Sequence, residues 1–142
     1  MPRIVTIVSF GYANAAAVPE FDLALDIRRS VPTLDDPALV GMTGLDLPVQ
    51  QRILASPEAR SLAAQIAVTA NFLMEDNDFQ ELAIVVGSAS GRRRSVVVAR
   101  HIQTRLAQLN TTGRYTVAVT HRDAQIAVGA EGVGSVGREA RP

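Results

Sequence analysis

Leu82-Ala83-Ile84-Val85-Val86-Gly87-Ser88-Ala89-Ser90-Gly91-Arg92-Arg93-Arg94-Ser95-Val96-Val97-Val98-Ala99 is the stretch on which the fold turns. Its apolar, β-branched opening predicts a buried strand over Leu82–Val86. That run breaks into a small, Gly/Ser-rich turn with three consecutive arginines, and a helical pattern follows at once. Strand, tight loop and helix start together make an anion site. The loop and first-turn N–H groups converge on one place, and the helix dipole favours negative charge there. Gly87 and Gly91 are positions where the backbone is expected to bend inward. The guanidinium groups add forked donors that suit phosphate. Cations at a helix N-terminus oppose the dipole at a cost of about 0.3 kcal/mol or more each. A bound anion offsets that cost; a solvated, arginine-rich helix start is the competing explanation. The expected phosphate-binding residues are Ser88, Ala89, Ser90, Gly91, Arg92, Arg93, Arg94 and Ser95.

Outward from this stretch, the pattern alternates strand and helix. Ile4–Phe10 is β-branched and apolar, and predicts a first strand; Phe21–Ile27 predicts a second. Residues 30–47 carry Pro32, Pro37, Gly41 and Gly44 and form a long irregular connection, a feature more often functional than idle in a small domain. Asp46 as cap and Pro48 in the first turn predict a helix to about Ala55. Ser56-Pro57-Glu58 repeats the signal. A second helix follows to Met74, with Leu62, Ile66, Ala70 and Leu73 on one face. The helix after the basic loop runs to Leu109 with Val98, Ile102, Leu106 and Leu109 along one side. Asn110–Gly113 is a turn, and Tyr115–Val119 a fourth strand. The order β-β-α-α-β-α-β with continuously apolar strands predicts a single α/β domain over residues 1–127. Its four-stranded sheet should be mostly parallel, with helices on both faces. Residues 128–142 are Gly-rich and aperiodic and are expected to form a flexible tail.

Ligands of open parallel sheets bind beyond the carboxyl ends of the strands. Each predicted strand here stops in polar residues: Ser9; Asp26 and Arg28; the basic loop; and His121, Arg122 and Asp123. A parallel sheet brings all four endings to one rim, where Ser9, Asp26, Arg28, His121 and Arg122 are expected to line a ligand pocket. Asp26 is suited to an amine or hydroxyl, although Arg28 could pair with it instead. Phe10 and Tyr12 could stack on a ligand ring or serve only as packing.

Composition narrows the chemistry. The 142 residues have formal net charge zero, so no global field draws the chain to nucleic acid or membrane, and all 14 basic residues are arginine. There is no cysteine, which excludes disulfides, thiolate catalysis and cysteine metal sites. His101 and His121 are too far apart for a metal motif. Asp35-Asp36 and Glu75-Asp76-Asn77-Asp78 lack calcium-loop spacing, so neither metal nor cofactor is expected. No segment approaches a membrane span, and the short apolar start reads as a strand rather than a signal segment. A cytoplasmic protein is the expectation, with its oligomeric state open, homo-oligomer included.

Ser88 and Arg94 stand as nucleophile-x5-arginine. With cysteine at the first position this spacing would match a phosphatase loop. A serine hydroxyl stays protonated there and needs an adjacent base, a role for which His121 is the sequence's candidate. Without lysine there is no Walker loop. Binding without turnover is therefore expected, with a weak phosphatase-like activity as an alternative.

The order Ser9-Phe10-Gly11-Tyr12, Asp26-Ile27-Arg28, Met42-Thr43-Gly44-Leu45-Asp46, the Gly87–Ser95 loop and His121-Arg122-Asp123 resembles the C-terminal domain of the RNase adapter protein RapZ family. The likeness extends to about Asp123, without that family's preceding P-loop domain, so a stand-alone version is expected. The resemblance implies a regulatory domain that binds glucosamine-6-phosphate or a similar amino-sugar phosphate, with Thr43 added to the pocket. It also implies, as an alternative, an adaptor that binds a small RNA for a ribonuclease. The family loop usually reads Gly-Cys-Thr-Gly-Gly-x-His-Arg-Ser. Here Ser88 takes the cysteine place, Ser90 a glycine place and Arg93 the histidine place, while Arg94 and Ser95 keep the pattern. Val40, Ala13-Asn14 and Ala124-Gln125-Ile126 stand where the family often carries basic residues. Those losses remove charge that RNA backbone contacts use; phosphate binding is not weakened by them.

Overall fold

The computed structural model describes residues 2–125. The proposed tail at 128–142 lies outside them. Strands β1 (Ile4–Gly11), β2 (Leu23–Asp26), β3 (Glu81–Ser88) and β4 (Thr116–His121) form one sheet in the order β2-β3-β1-β4. Every neighbouring pair is parallel. Helices α1 (Leu47–Leu54) and α2 (Pro57–Asp76) fill the crossover from β2 to β3, and α3 (Arg94–Leu109) that from β3 to β4.

Side-chain alternation along the strands decides where the core sits. Val5, Ile7, Leu82, Ile84 and Val86 share one face and one buried cluster with Val49 and Ile53 of α1, Ala63 and Ala67 of α2, and Val98, Ile102 and Leu106 of α3. The described helices therefore gather on a single face of the sheet, where cover on both faces was expected. The other face is open at the edges, where Ala24, Asp26, Ala118 and Thr120 are exposed. Edge strands exposed on one face do not need the continuous apolar run that two-sided cover demands.

Three local details depart from the sequence pattern, each for a physical reason. The buried stripe of α2 is Ala59, Ala63, Ala67, Ala70 and Met74 rather than its leucines. Small side chains let α2 approach α3 closely, and Leu62, Ile66 and Leu73 pack around the margin. Strand β2 is shorter than expected because Asp22 ends the pairing, its carboxylate accepting from the Ala83 amide at 2.8 Å. Asp46 holds the cap position of α1, but its carboxylate accepts from the Thr43 amide at 2.8 Å instead of capping the helix. By contrast, Ser56 does cap α2, accepting from the Ala59 amide at 3.3 Å.

Candidate anion site at the strand ends

The parallel register carries all four strand endings to one rim: Asp26 lies opposite Gly87, Gly11 opposite Ser88, and Ser9 opposite His121. Beyond β3 the chain turns through residues 88–93 into α3. Gly91 has φ +78°, open to glycine at little cost. A Cβ at Gly91 would lie 2.5 Å from the Gly11 amide nitrogen, and one at Gly11 2.2 Å from the Ser90 carbonyl oxygen. The two glycines thus let the loop lie directly on the end of β1. Gly87 serves a different purpose from the expected bend: a Cβ there would meet the Tyr12 ring at 2.4 Å and Phe10 at 2.7 Å.

A cavity of about 160 Å³ opens on the loop, lined by Thr33, Leu34, Ser88, Ala89, Ser90, Arg92, Arg93 and Arg94. Ser88 is buried, donates to Ser95 Oγ at 2.8 Å and accepts from the Gly91 amide at 3.2 Å. Ser90 Oγ accepts from the Arg92 amide at 3.3 Å. Among the described residues no side chain caps α3, so its first-turn N–H groups keep the unsatisfied character of a helix start.

The three arginines divide their work. Arg93 turns its Nε and Nη2 to the Met42 and Leu39 carbonyl oxygens, both at 3.0 Å. Arg94 is buried at 8% exposure, and its Nη1 donates to the Val31 and Arg28 carbonyl oxygens at 2.8 and 3.2 Å. Its Nε and Nη2 have no hydrogen-bond partner among the described residues, and no carboxylate lies within ion-pair reach of it there. Burial alone pushes its pKa below the usual guanidinium value; the group stays charged at neutral pH because arginine does not deprotonate in proteins. Burying a cation without a paired acid is costly. Arg92 is buried to a similar degree on the same cavity.

The other expected pocket residues are not in the cavity wall, and the sheet separates them into two groups. Ser9 and His121 lie on the helix-covered face, where Ser9 Oγ and His121 Nδ1 are 2.7 Å apart. Asp26 lies on the opposite face and binds Arg28 through both carboxylate oxygens, the shortest contact being 2.7 Å. The Arg28 guanidinium beside it holds that carboxyl below its ordinary value. Arg28 also stacks 3.7 Å above the Tyr12 ring, which lies against Gly87 and is half-buried. Arg122 pairs with the buried Asp123 at 3.0 Å and stands over the Phe10 ring. Asp123 in turn accepts from the Gly11 amide at 2.7 Å. Thr43 sits beside the loop without lining the cavity: its Oγ1 accepts from Leu45, while neighbouring Gly44 donates to the Arg92 carbonyl at 2.8 Å. Thr33 and Leu34 complete the wall. No motif marked them; the only sequence signal was the length of the irregular connection that carries them.

Burial first, and then the charge of Arg100, lowers the His121 pKa from 6.5. Burial and nearby arginines also lower His101. Both imidazoles are therefore favoured neutral in the fold. The unfolded chain takes up protons first as pH drops through 6.5, so the stability they contribute is full above that value. It is lost progressively as pH falls from there towards the folded-state values. Urea midpoints are expected to fall between pH 7.5 and 5.5, and His121→Gln should flatten the decline; a slope unchanged in His121→Gln would assign it elsewhere.

Among the described residues no group of histidine, cysteine or acidic side chains could hold a metal ion, and no helix is long and apolar enough to cross a membrane.

Comparison with known proteins accounts for nearly all of the described chain. The RapZ C-terminal domain matches residues 3–125. A nucleotide-binding protein of Moorella thermoacetica is 33% identical over 123 residues, covering 84% of this chain and 40% of its own length. One from Thermus thermophilus is 36% identical over 126 residues, covering 86% of this chain and 43% of its own. One from Rubrobacter xylanophilus is 32% identical over 124 residues. This chain thus spans about two fifths of the length of these relatives. The ordered strand-end motifs, the parallel rim and the match from β1 through β4 agree: the chain belongs to the RapZ C-terminal domain family.

Proposed function

We propose that this domain binds a phosphorylated small molecule at the rim cavity without turning it over, as a regulatory phospho-ligand domain. The observation that carries the proposal is Arg94: a buried guanidinium on a cavity, with two of its three nitrogens unengaged and no acid beside it among the described residues. Ser88, Ser90, Arg92 and the first turn of α3 surround the same space. Charge-assisted donors of this kind favour a phosphate dianion. The size of the cavity suits a compact phosphomonoester such as an amino-sugar phosphate. A nucleotide, which the names of the longer relatives suggest, would need a surface for its base. The cavity lining offers no aromatic ring, and Tyr12 lies on the far side of the sheet with Arg28 over its ring.

The surroundings of Ser88 support binding without turnover. Its hydroxyl is hydrogen-bonded to Ser95 and the Gly91 amide, while His121, the base proposed for it, is bonded to Ser9 and does not line the cavity. Thermal unfolding with inorganic phosphate, hexose 6-phosphates, an amino-sugar 6-phosphate and nucleoside monophosphates tests the proposal. The phosphosugars are expected to raise the midpoint most and to be recovered intact. Stabilisation by nucleotides alone, or release of phosphate above background that Ser88→Ala abolishes, would refute it.

A further inference from the structure

The cavity wall formed by Thr33 and Leu34 belongs to a short strap, residues 32–38, fastened at both ends by the arginines of the site. At one end Arg94 holds the Arg28 and Val31 carbonyls; at the other Arg93 holds those of Leu39 and Met42. Val31 and Leu39 are buried, whereas Pro32, Thr33, Asp35, Pro37 and Ala38 between them are exposed. The middle of the strap has little else to hold it. Leu34 packs partly against the core, and Asp36 makes a solvent-facing ion pair with Arg52 at 2.8 Å while capping its own turn through the Ala38 amide. An exposed ion pair of this kind contributes little. Segments with few buried contacts and exposed backbone open locally at low cost.

Arg94 therefore has two tasks on one rigid plane. One terminal nitrogen fastens the strap, and the remaining donors are left for an anion. A ligand that fixes the guanidinium fixes the carbonyls bonded to it. Arg93 fastens the other end with no need to touch the ligand.

We propose that the strap is a wall coupled to the ligand: anion binding at Arg94 suppresses local opening of residues 32–38, and Arg93 is the positioning residue that keeps the far end closed. The inference rests on the anion site proposed above. By linkage, the factor by which the anion steadies the closed strap equals the factor by which closure strengthens anion binding.

Hydrogen exchange of the full chain, with and without saturating inorganic phosphate, tests it, with phosphate binding measured separately by calorimetry. Phosphate is expected to slow exchange at Thr33–Asp36 and Ala38 by about fivefold or more, within the usual range of coupling between sites, and to leave the middle of α2 unchanged. Arg93→Ala should speed strap exchange in the absence of phosphate, and should weaken phosphate binding to the extent that it lowers the fraction of closed strap. Arg93→Lys, which can still reach one carbonyl, should restore part of both. Leu34→Gly loosens the strap from within and should act in the same direction if Arg93→Ala does not fold. The wild-type comparison needs no variant. Phosphate that binds without slowing strap exchange would overturn the coupling and leave the anion site standing. No phosphate binding at all would overturn both.

Discussion

Arg94→Ala is expected to abolish stabilisation by phosphosugars and to weaken phosphate binding about a hundredfold or more. A charge-assisted hydrogen bond contributes about 1.5–3 kcal/mol, and the open nitrogens of Arg94 can make more than one; about 2.7 kcal/mol is a hundredfold. The apo protein should change much less. Removing the side chain frees the Arg28 and Val31 carbonyls, which is unfavourable. It also removes a largely buried cation that no acid balances among the described residues, which is favourable. Thermal melts with and without ligand separate the two effects: the ligand-dependent shift disappears while the apo midpoint moves by only a few degrees. A full ligand-dependent shift in a folded Arg94→Ala variant would reject the assignment.

Gly91→Ala carries the largest expected cost to folding. The residue sits at φ +78°, and an added Cβ would lie 2.5 Å from the Gly11 nitrogen and 2.7 Å from the Phe10 carbonyl carbon. Both neighbours are main chain in the central strand, so they cannot swing aside as a side chain would. Positive φ and overpacking together are expected to cost about 3 kcal/mol or more, or a fall in midpoint of about 10 °C or more in a domain of this size. Gly41 is the internal control. It also has positive φ, at +86°, but a Cβ there meets nothing within 4 Å. Gly41→Ala should therefore cost only the conformational strain of about 1 kcal/mol. Equal losses at the two positions would show that the close approach of loop and β1 does not exist.

The sequence made the arrangement of the rim legible because each strand ended in residues that could not continue a buried strand. Ser9, Asp26, Ser88 and His121 mark those ends, and parallel pairing does the rest. It did not show on which face of the sheet each side chain falls. That depends on register parity at the last residue of each strand, and a shift of one reverses it. Hence Asp26 and Arg28 lie across the sheet from Ser9 and His121. The arginine run was legible as charge but not as geometry. Adjacent side chains at a helix start point in different directions, so Arg93 and Arg94 reach opposite ends of a strap whose residues carry no motif. Tyr12 looked available for stacking because the glycine that receives it, Gly87, lies 75 residues away in sequence, a distance no local pattern spans.

The account turns on an anion held by the β3–α3 loop, and amide chemical shifts during a titration with inorganic phosphate test that directly. The largest, saturable changes are expected at Ser90, Arg94, Ser95 and Val96, with smaller ones at Thr33 and Leu34. Changes centred on Tyr12, Asp26 and Arg28 across the sheet, or no saturable change at the loop, would contradict it.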